Sequence, residues 1–191
     1  MDFLYKRHPK GTYEYVAYKK KIDAIVMIIL FALALGLFVI GLIATGSKKN
    51  LLTIVAVLGL LPACKQVVAL IMSLRVKSCM NSVKEMIDEH IGKLYGVYSP
   101  YFTAYDKNYA FDHLVITNNS VLLLNTGKSI DEKAYIAHIN DLLRKEGLKD
   151  ILIKVFYDAD KYCNRLDELN NMTDALEVNG AVAKLIYNVT L

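Results

Sequence analysis

Apolar positions follow two regimes along the chain. From Ala24 to Ala44 and from Leu51 to Met72 they run almost unbroken, separated only by the polar stretch Thr45 to Asn50. Downstream they recur at the alternating and three-to-four-residue intervals of a folded domain. The first run holds no charged residue over 21 positions, and at about 1.5 Å per residue a helix of that length crosses the roughly 30 Å hydrocarbon layer. The pattern predicts a transmembrane helical hairpin with spans 24–45 and 51–72. A signal peptide fits poorly, because its apolar region is about 7 to 15 residues and a cleavage site follows closely. A buried soluble hairpin fits no better, since the rest of a 191-residue chain is too small to cover two such helices on all sides.

Beyond the hairpin, 75–191 is one domain's worth of chain. Met80, Val83, Met86, Ile87, Ile91 and Leu94 recur at helical spacing from about Cys79 to Tyr95, predicting an amphipathic helix continuing from the second span. Val97 to Tyr105 reads as a strand. Phe111 to Thr117 and Ser120 to Asn125 read as two strands around Asn118-Asn119, residues that tolerate positive φ, hence a tight hairpin. A helix starts at the capping box Ser129-x-x-Glu132, buries Ala134, Ile136, Ile139, Leu142 and Leu143, and ends at Gly147. Asp150 to Tyr157 reads as a strand, Tyr162 to Leu176 as a helix and Ala183 to Val189 as a last strand. The expected fold is therefore a transmembrane hairpin plus one α/β (α+β) domain of order α-β-β-β-α-β-α-β. The parts are a basic arm over 1–22, the hairpin over 23–74 and the domain over 75–191.

Charge orients the hairpin. Lys6, Arg7, Lys10, Lys19, Lys20 and Lys21 precede the first span, only Lys48 and Lys49 lie in the connection, and Arg75, Lys77 and Lys84 follow the second. The positive-inside rule then puts both termini in the cytoplasm. The formal net charge is +4, yet from Arg75 onward there are 14 Lys/Arg against 16 Asp/Glu, a net of −2. The surplus is in the arm, where the six basic residues suit anionic lipid headgroups and Tyr5, Tyr13, Tyr15 and Tyr18 suit the headgroup level. The lipid surface is the favoured partner of this arm over nucleic acid.

Within the second span, Pro62 removes a helical hydrogen bond to Leu58 and predicts a kink. Lys65 and Gln66 are polar groups inside the membrane; snorkelling to the cytoplasmic boundary is the favoured role for Lys65, ahead of a lipid or protein contact. Ala32 and Gly36 in the first span, and Gly59 and Ala63 in the second with Thr53 and Ala56 beside them, permit close helix packing. That packing closes the hairpin or, less favoured, forms a homodimer.

Cys64, Cys79 and Cys163 are odd in number and widely spaced, so neither a disulfide framework nor a zinc site is indicated. Asp88, Glu89 and His90 are consecutive on a helix and point apart, and His138 reads as a packing residue. No phosphate-binding Gly-rich loop, G-x-S-x-G elbow or C-x-x-C pair occurs, so no catalytic residue, cofactor or metal is expected. Five tyrosines from Tyr95 to Tyr109 form an aromatic patch suited equally to core, sheet edge or a protein partner.

Two resemblances bear on this reading. The segment K-K-N-L-L-T-I-V-A-V-L-G-L-L-P-A-C-K, Lys48 to Lys65, resembles one shared by small uncharacterised two-span membrane proteins of Gram-positive bacteria. It implies a bacterial cell-membrane location and no particular activity. Phe111-Asp112-His113-Leu114-Val115-Ile116 followed by Ser120 to Leu124 resembles the second and third strands of nuclease-related domains of the PD-(D/E)XK superfamily. That resemblance implies an α-β-β-β-α-β core in which Asp112 opens a strand as a metal ligand. The acid-x-Lys expected on the next strand is replaced by Asn125-Thr126-Gly127, with Lys128 one residue late, and Asn cannot supply a second charge. The preferred expectation is a membrane-anchored binding or scaffolding protein; the alternative is a divergent metal-dependent hydrolase centred on Asp112 and Lys128.

Overall fold

The computed structural model describes residues 8–48, 50–104, 107–127, 130–148, 150–172 and 177–190. Lys6, Arg7, Lys49, Lys128, Ser129 and Leu176 lie outside them. The chain forms two compact units. One contains Val16–Arg75, the other His8–Tyr15 together with Val76–Leu191.

The first unit is a helical hairpin of α1 (Tyr15–Thr45) and α2 (Leu51–Arg75). Both helices are long and apolar enough to cross a membrane. Helix α1 extends nine residues upstream of the apolar run because nothing between Tyr15 and Asp23 breaks a helix. It stops at Gly46, whose φ of +62° gives the left-handed turn that glycine adopts without strain. Asn50 closes the hairpin from the other side. Its Oδ1 accepts from Thr53 N at 2.8 Å, capping α2, while its Nδ2 donates to Gly41 O at 2.9 Å. A methyl group on Gly41 would lie 2.7 Å from Leu52 Cβ, so the close approach there needs glycine. Ala34, Ala56 and Ala63 are buried between the helices. The contact stripe thus steps by seven residues, Ala34 to Gly41 and Ala56 to Ala63, as heptad packing requires. The expected pair Ala32 and Gly36 is off that stripe: Ala32 is exposed and nothing lies within 4 Å of a Cβ added to Gly36. Helix α2 runs through Pro62 without interruption.

The second unit contains α3 (Asn81–His90), β1 (Tyr95–Tyr98), β2 (Tyr101–Thr103), β3 (Asn108–Ala110), β4 (His113–Ile116), β5 (Ser120–Leu124), α4 (Glu132–Lys145), β6 (Leu152–Phe156), α5 (Ala159–Asn170) and α6 (Gly180–Val189). A mixed sheet of order β1-β4-β5-β6 is antiparallel except for the parallel pair β5 and β6, which α4 connects. Strands β4 and β5 are buried on both faces, and the period of two sorts their side chains. Leu114, Ile116, Val121 and Leu123 pack with Tyr135 and Ile139 of α4 and Val182 and Ile186 of α6. Val115, Leu122 and Leu124 pack with Val83 and Ile87 of α3 and Leu166 and Leu169 of α5.

Five expectations are corrected. The region 183–189 is helix, not strand: Asn179 Oδ1 caps it by accepting from Ala181 N and Val182 N, and Val182 and Ile186 share one face at a four-residue interval. The single strand over 97–105 is broken by Ser99, whose φ is +49°, and by Pro100, which has no N–H; beyond them lies a separate hairpin of β2 and β3. The helix expected from residue 129 starts at Glu132, where Asp131 caps it, accepting from Ala134 N at 3.2 Å. Helix α3 does not continue from α2, because residues 76–80 are not helical. In the β4–β5 turn, neither Asn118 nor Asn119 takes a positive φ; Thr117 and Ser120 close it through their hydroxyls, 2.7 Å apart.

Candidate functional site

The strand pattern places Asp112 just ahead of β4, against the end of β5. There its Oδ2 accepts from Thr126 N at 2.6 Å and Thr126 Oγ1 at 2.8 Å. Asn125 is buried and its Oδ1 accepts from Gly127 N at 2.9 Å. The carboxylate and the amide therefore lock the turn that leaves β5. Among the described residues no group of three or more His, Cys, Asp or Glu side chains is placed to hold a metal ion.

The neighbouring residue carries more. His113 alternates to the opposite face from Leu114 and is wholly buried. Its Nδ1 is 2.9 Å from Tyr162 Oη on α5, and its ring lies 4.5 Å, centroid to centroid, from that of Tyr98. Nε2 is buried without a hydrogen-bond partner. It sits against Gly96, where an added Cβ would come within 2.6 Å of Nε2 and 2.4 Å of Ile91 Cδ1. Burial drives the imidazole down to about 3, outweighing the opposing pull of Asp88, so the ring is neutral at physiological pH. Tyr98 donates its hydroxyl to Asp88 Oδ1, and Lys84 pairs with Oδ2 of the same carboxylate. Burial works to raise Asp88, but the hydrogen bonds from Lys84 and Tyr98 overcome it and hold the carboxyl below its ordinary value. Burial likewise raises the Tyr98 and Tyr162 hydroxyls and pushes the Cys79 thiol up to about 12. The cluster is thus one Lys84–Asp88 ion pair flanked by the neutral His113, Tyr98 and Tyr162, and it pins α3 and α5 to the sheet.

Above this cluster lies the segment His8–Tyr15. Tyr98 N donates to Gly11 O at 2.8 Å. Tyr13 Oη donates to Cys79 O at 3.1 Å and to Asn81 Oδ1, its ring stands edge-on to Tyr98 at 5.8 Å, and Lys84 Nζ lies 5.4 Å from its centre. Lys10 Nζ donates to Tyr187 O and Thr190 O at the end of α6. Lys10, expected at lipid headgroups, is therefore engaged within the second unit.

The hairpin has a polar site of its own. Asp23 and Gln66 are only 2% and 7% exposed. Gln66 Nε2 donates to Asp23 Oδ1 at 3.2 Å, and Lys19 Nζ is 3.3 Å from Oδ2. Lys65 faces outward on the next position, with Pro62 also exposed; Lys20 is half-buried and Lys21 exposed on α1. A span that starts at Ala24 leaves Asp23 out, although it is the only acid between Glu14 and Glu85. Of the tyrosine patch, Tyr101 and Tyr109 belong to the core, Tyr98 to the histidine cluster, and Tyr95 is exposed. Asp88 and His90 do point apart, His90 Nδ1 meeting Asp167 Oδ2 at 2.8 Å. His113 lies within the strand pattern, but its partners, Tyr98 on β1 and Tyr162 on α5, come from other elements, which no local pattern brings to it. Comparison with protein-family models, curated proteins and solved structures returns no match.

Proposed function

We propose that this is a two-pass protein of the bacterial cell membrane, both termini cytoplasmic, whose hairpin anchors an α/β domain acting as a binding or scaffolding module. The observation that carries the anchor is where the large apolar side chains of the hairpin point. Ile43 and Leu51 are 79% and 75% exposed, and Ile28, Leu35, Leu58 and Leu61 are exposed with them. A soluble protein rarely leaves so continuous an apolar surface open, whereas lipid covers it at no cost. The buried Asp23–Gln66 pair fits the same reading, because a polar group in such a helix turns toward a partner helix. The small-residue faces left on α1, Ala32 and Gly36, suit a homodimer contact.

A binding role is supported over the hydrolase alternative by the use made of Asp112. Its Oδ2 is taken by two donors from Thr126, and the adjacent position is an amide. Topology is tested by introducing cysteine at Ser47 and at the exposed Lys161, with Cys163 blocked. An impermeant maleimide should label the first in intact cells and the second only after permeabilisation; the reverse pattern refutes the orientation. A divalent-metal-dependent hydrolase activity lost in Asp112→Ala would overturn the binding role.

A further inference from the structure

The segment His8–Tyr15 reaches the domain at three separate places, and each contact is of a kind that can be exchanged. Backbone parity on β1 shows the first. Ser99 N donates to Asp112 O beside β4, so Tyr98 N, one residue earlier, points away from the sheet; Gly11 O meets it there. The segment thus covers an outward donor of an edge strand, a position otherwise open to other chains. The second contact is Tyr13 on Cys79 O, Asn81 and the Tyr98 ring. Lys10 makes the third, with its ammonium on the carbonyls of Tyr187 and Thr190 and 4.6 Å from the Tyr187 ring centre. An ammonium at the final carbonyls of a helix gains a modest electrostatic benefit that salt screens. One lysine on an anionic bilayer gains a benefit of the same order. Tyr15 at the end of this segment is also the first residue of α1, nine residues ahead of the apolar run that starts at Ala24, so in a membrane-anchored chain Lys10 is carried on the segment that leads into the span.

We propose that His8–Tyr15 is a strap with two states, closed over the β1 edge with Lys10 on the α6 carbonyls, and released when anionic phospholipid headgroups take Lys10. This rests on the membrane-anchored reading above. Release uncovers the Tyr98 amide and loosens the shallow hollow between Tyr95, Val97, Ile186 and Tyr187 that Lys10 now lines. The lipid composition beneath the protein would then set how much of the β1 edge the domain presents.

The test is hydrogen exchange on the full chain in nanodiscs of phosphatidylcholine alone or with phosphatidylglycerol. Exchange at Tyr98 should rise roughly fivefold with phosphatidylglycerol, the factor that one lysine contact with an anionic surface is worth, while the central strand β5 stays unchanged. Lys10→Gln should exchange fast at Tyr98 in both lipids and lose the lipid response. Tyr13→Phe, which keeps the charge, should raise exchange in both and retain the response. Equal Tyr98 exchange of the unmodified chain in the two lipids would overturn the strap. So would release by inorganic phosphate in phosphatidylcholine discs, which would make a free anion rather than a surface the trigger. Labelling at Ser47→Cys across the same discs reads insertion independently: a chain that inserts but shows no lipid response loses the strap alone, and one that does not insert loses the anchor as well.

Discussion

Acidification is the perturbation most sharply specified by the structure, because His113 is wholly buried, neutral and faces Gly96 with an unpartnered Nε2. Its folded value of about 3 lies below the ordinary 6.5. Between those values the unfolded chain binds a proton that the folded chain refuses, so stability rises with pH across the window and is lost as pH falls below 6.5. Each pH unit in the window costs about 1.4 kcal/mol. His113 alone should therefore cost about 2 kcal/mol at pH 5 and about 4 kcal/mol by pH 3, against a typical domain stability of about 5–15 kcal/mol. The Asp88 carboxyl, held below its ordinary value, adds in the same direction at lower pH. The assay is hydrogen exchange of the β4 and β5 amides at pH 8 and pH 5, corrected for intrinsic rate, in the native chain and in His113→Gln. The native chain should lose about 2 kcal/mol more than the variant over that interval. Equal pH slopes in the two proteins would refute the assignment, whatever their stabilities at pH 8.

Three further perturbations probe other contacts. Gly96→Ala drives a methyl to 2.4 Å from Ile91 Cδ1 and 2.6 Å from His113 Nε2, and should lower the thermal midpoint by a cost of about 1–3 kcal/mol; an unchanged midpoint would mean the β1 backbone yields freely. Gly92→Ala meets both a φ of +53° and Asn170 Oδ1 at 2.5 Å, and should cost roughly 1–3 kcal/mol and displace the Asn170 Oδ1 that accepts from Lys93 N at 3.2 Å, read as faster exchange at Lys93. Asp23→Leu leaves the Gln66 amide buried without its carboxylate; hairpin stability in micelles should fall by about 1–3 kcal/mol, and Gln66→Leu on the same background should recover part of it.

Legibility in the sequence tracks how local each determinant is. The hairpin helices are visible because composition over twenty residues defines them, and β4 and β5 because both are continuous apolar runs between turn residues. Helix α6 reads as a strand because Ala183 to Val189 is a short apolar run of Leu185, Ile186, Tyr187 and Val189; its helical state is decided by the Asn179 cap and by the one face that Val182 and Ile186 bury. The break at Ser99 is hidden for a similar reason, since it depends on Cys79 N reaching Ser99 Oγ across twenty residues. Asp112 does sit at the mouth of β4, yet what it binds is Thr126. His113, one residue on, has partners 49 and 15 positions away, and nothing in the local pattern distinguishes it from an ordinary strand residue.

The second unit is discontinuous in the chain, His8–Tyr15 on one side of the hairpin and Val76–Leu191 on the other. Topologically the hairpin is an insert, and its two junctions are held together inside the domain by Tyr13 on Cys79 and Asn81. Biogenesis is constrained accordingly. The first piece of the domain is synthesised about sixty residues before the remainder, and must wait while the helices between are made. A fragment beginning at residue 75 would lack part of its own surface, whereas a chain in which a short linker joins Tyr15 to Val76 would restore it without either apolar helix.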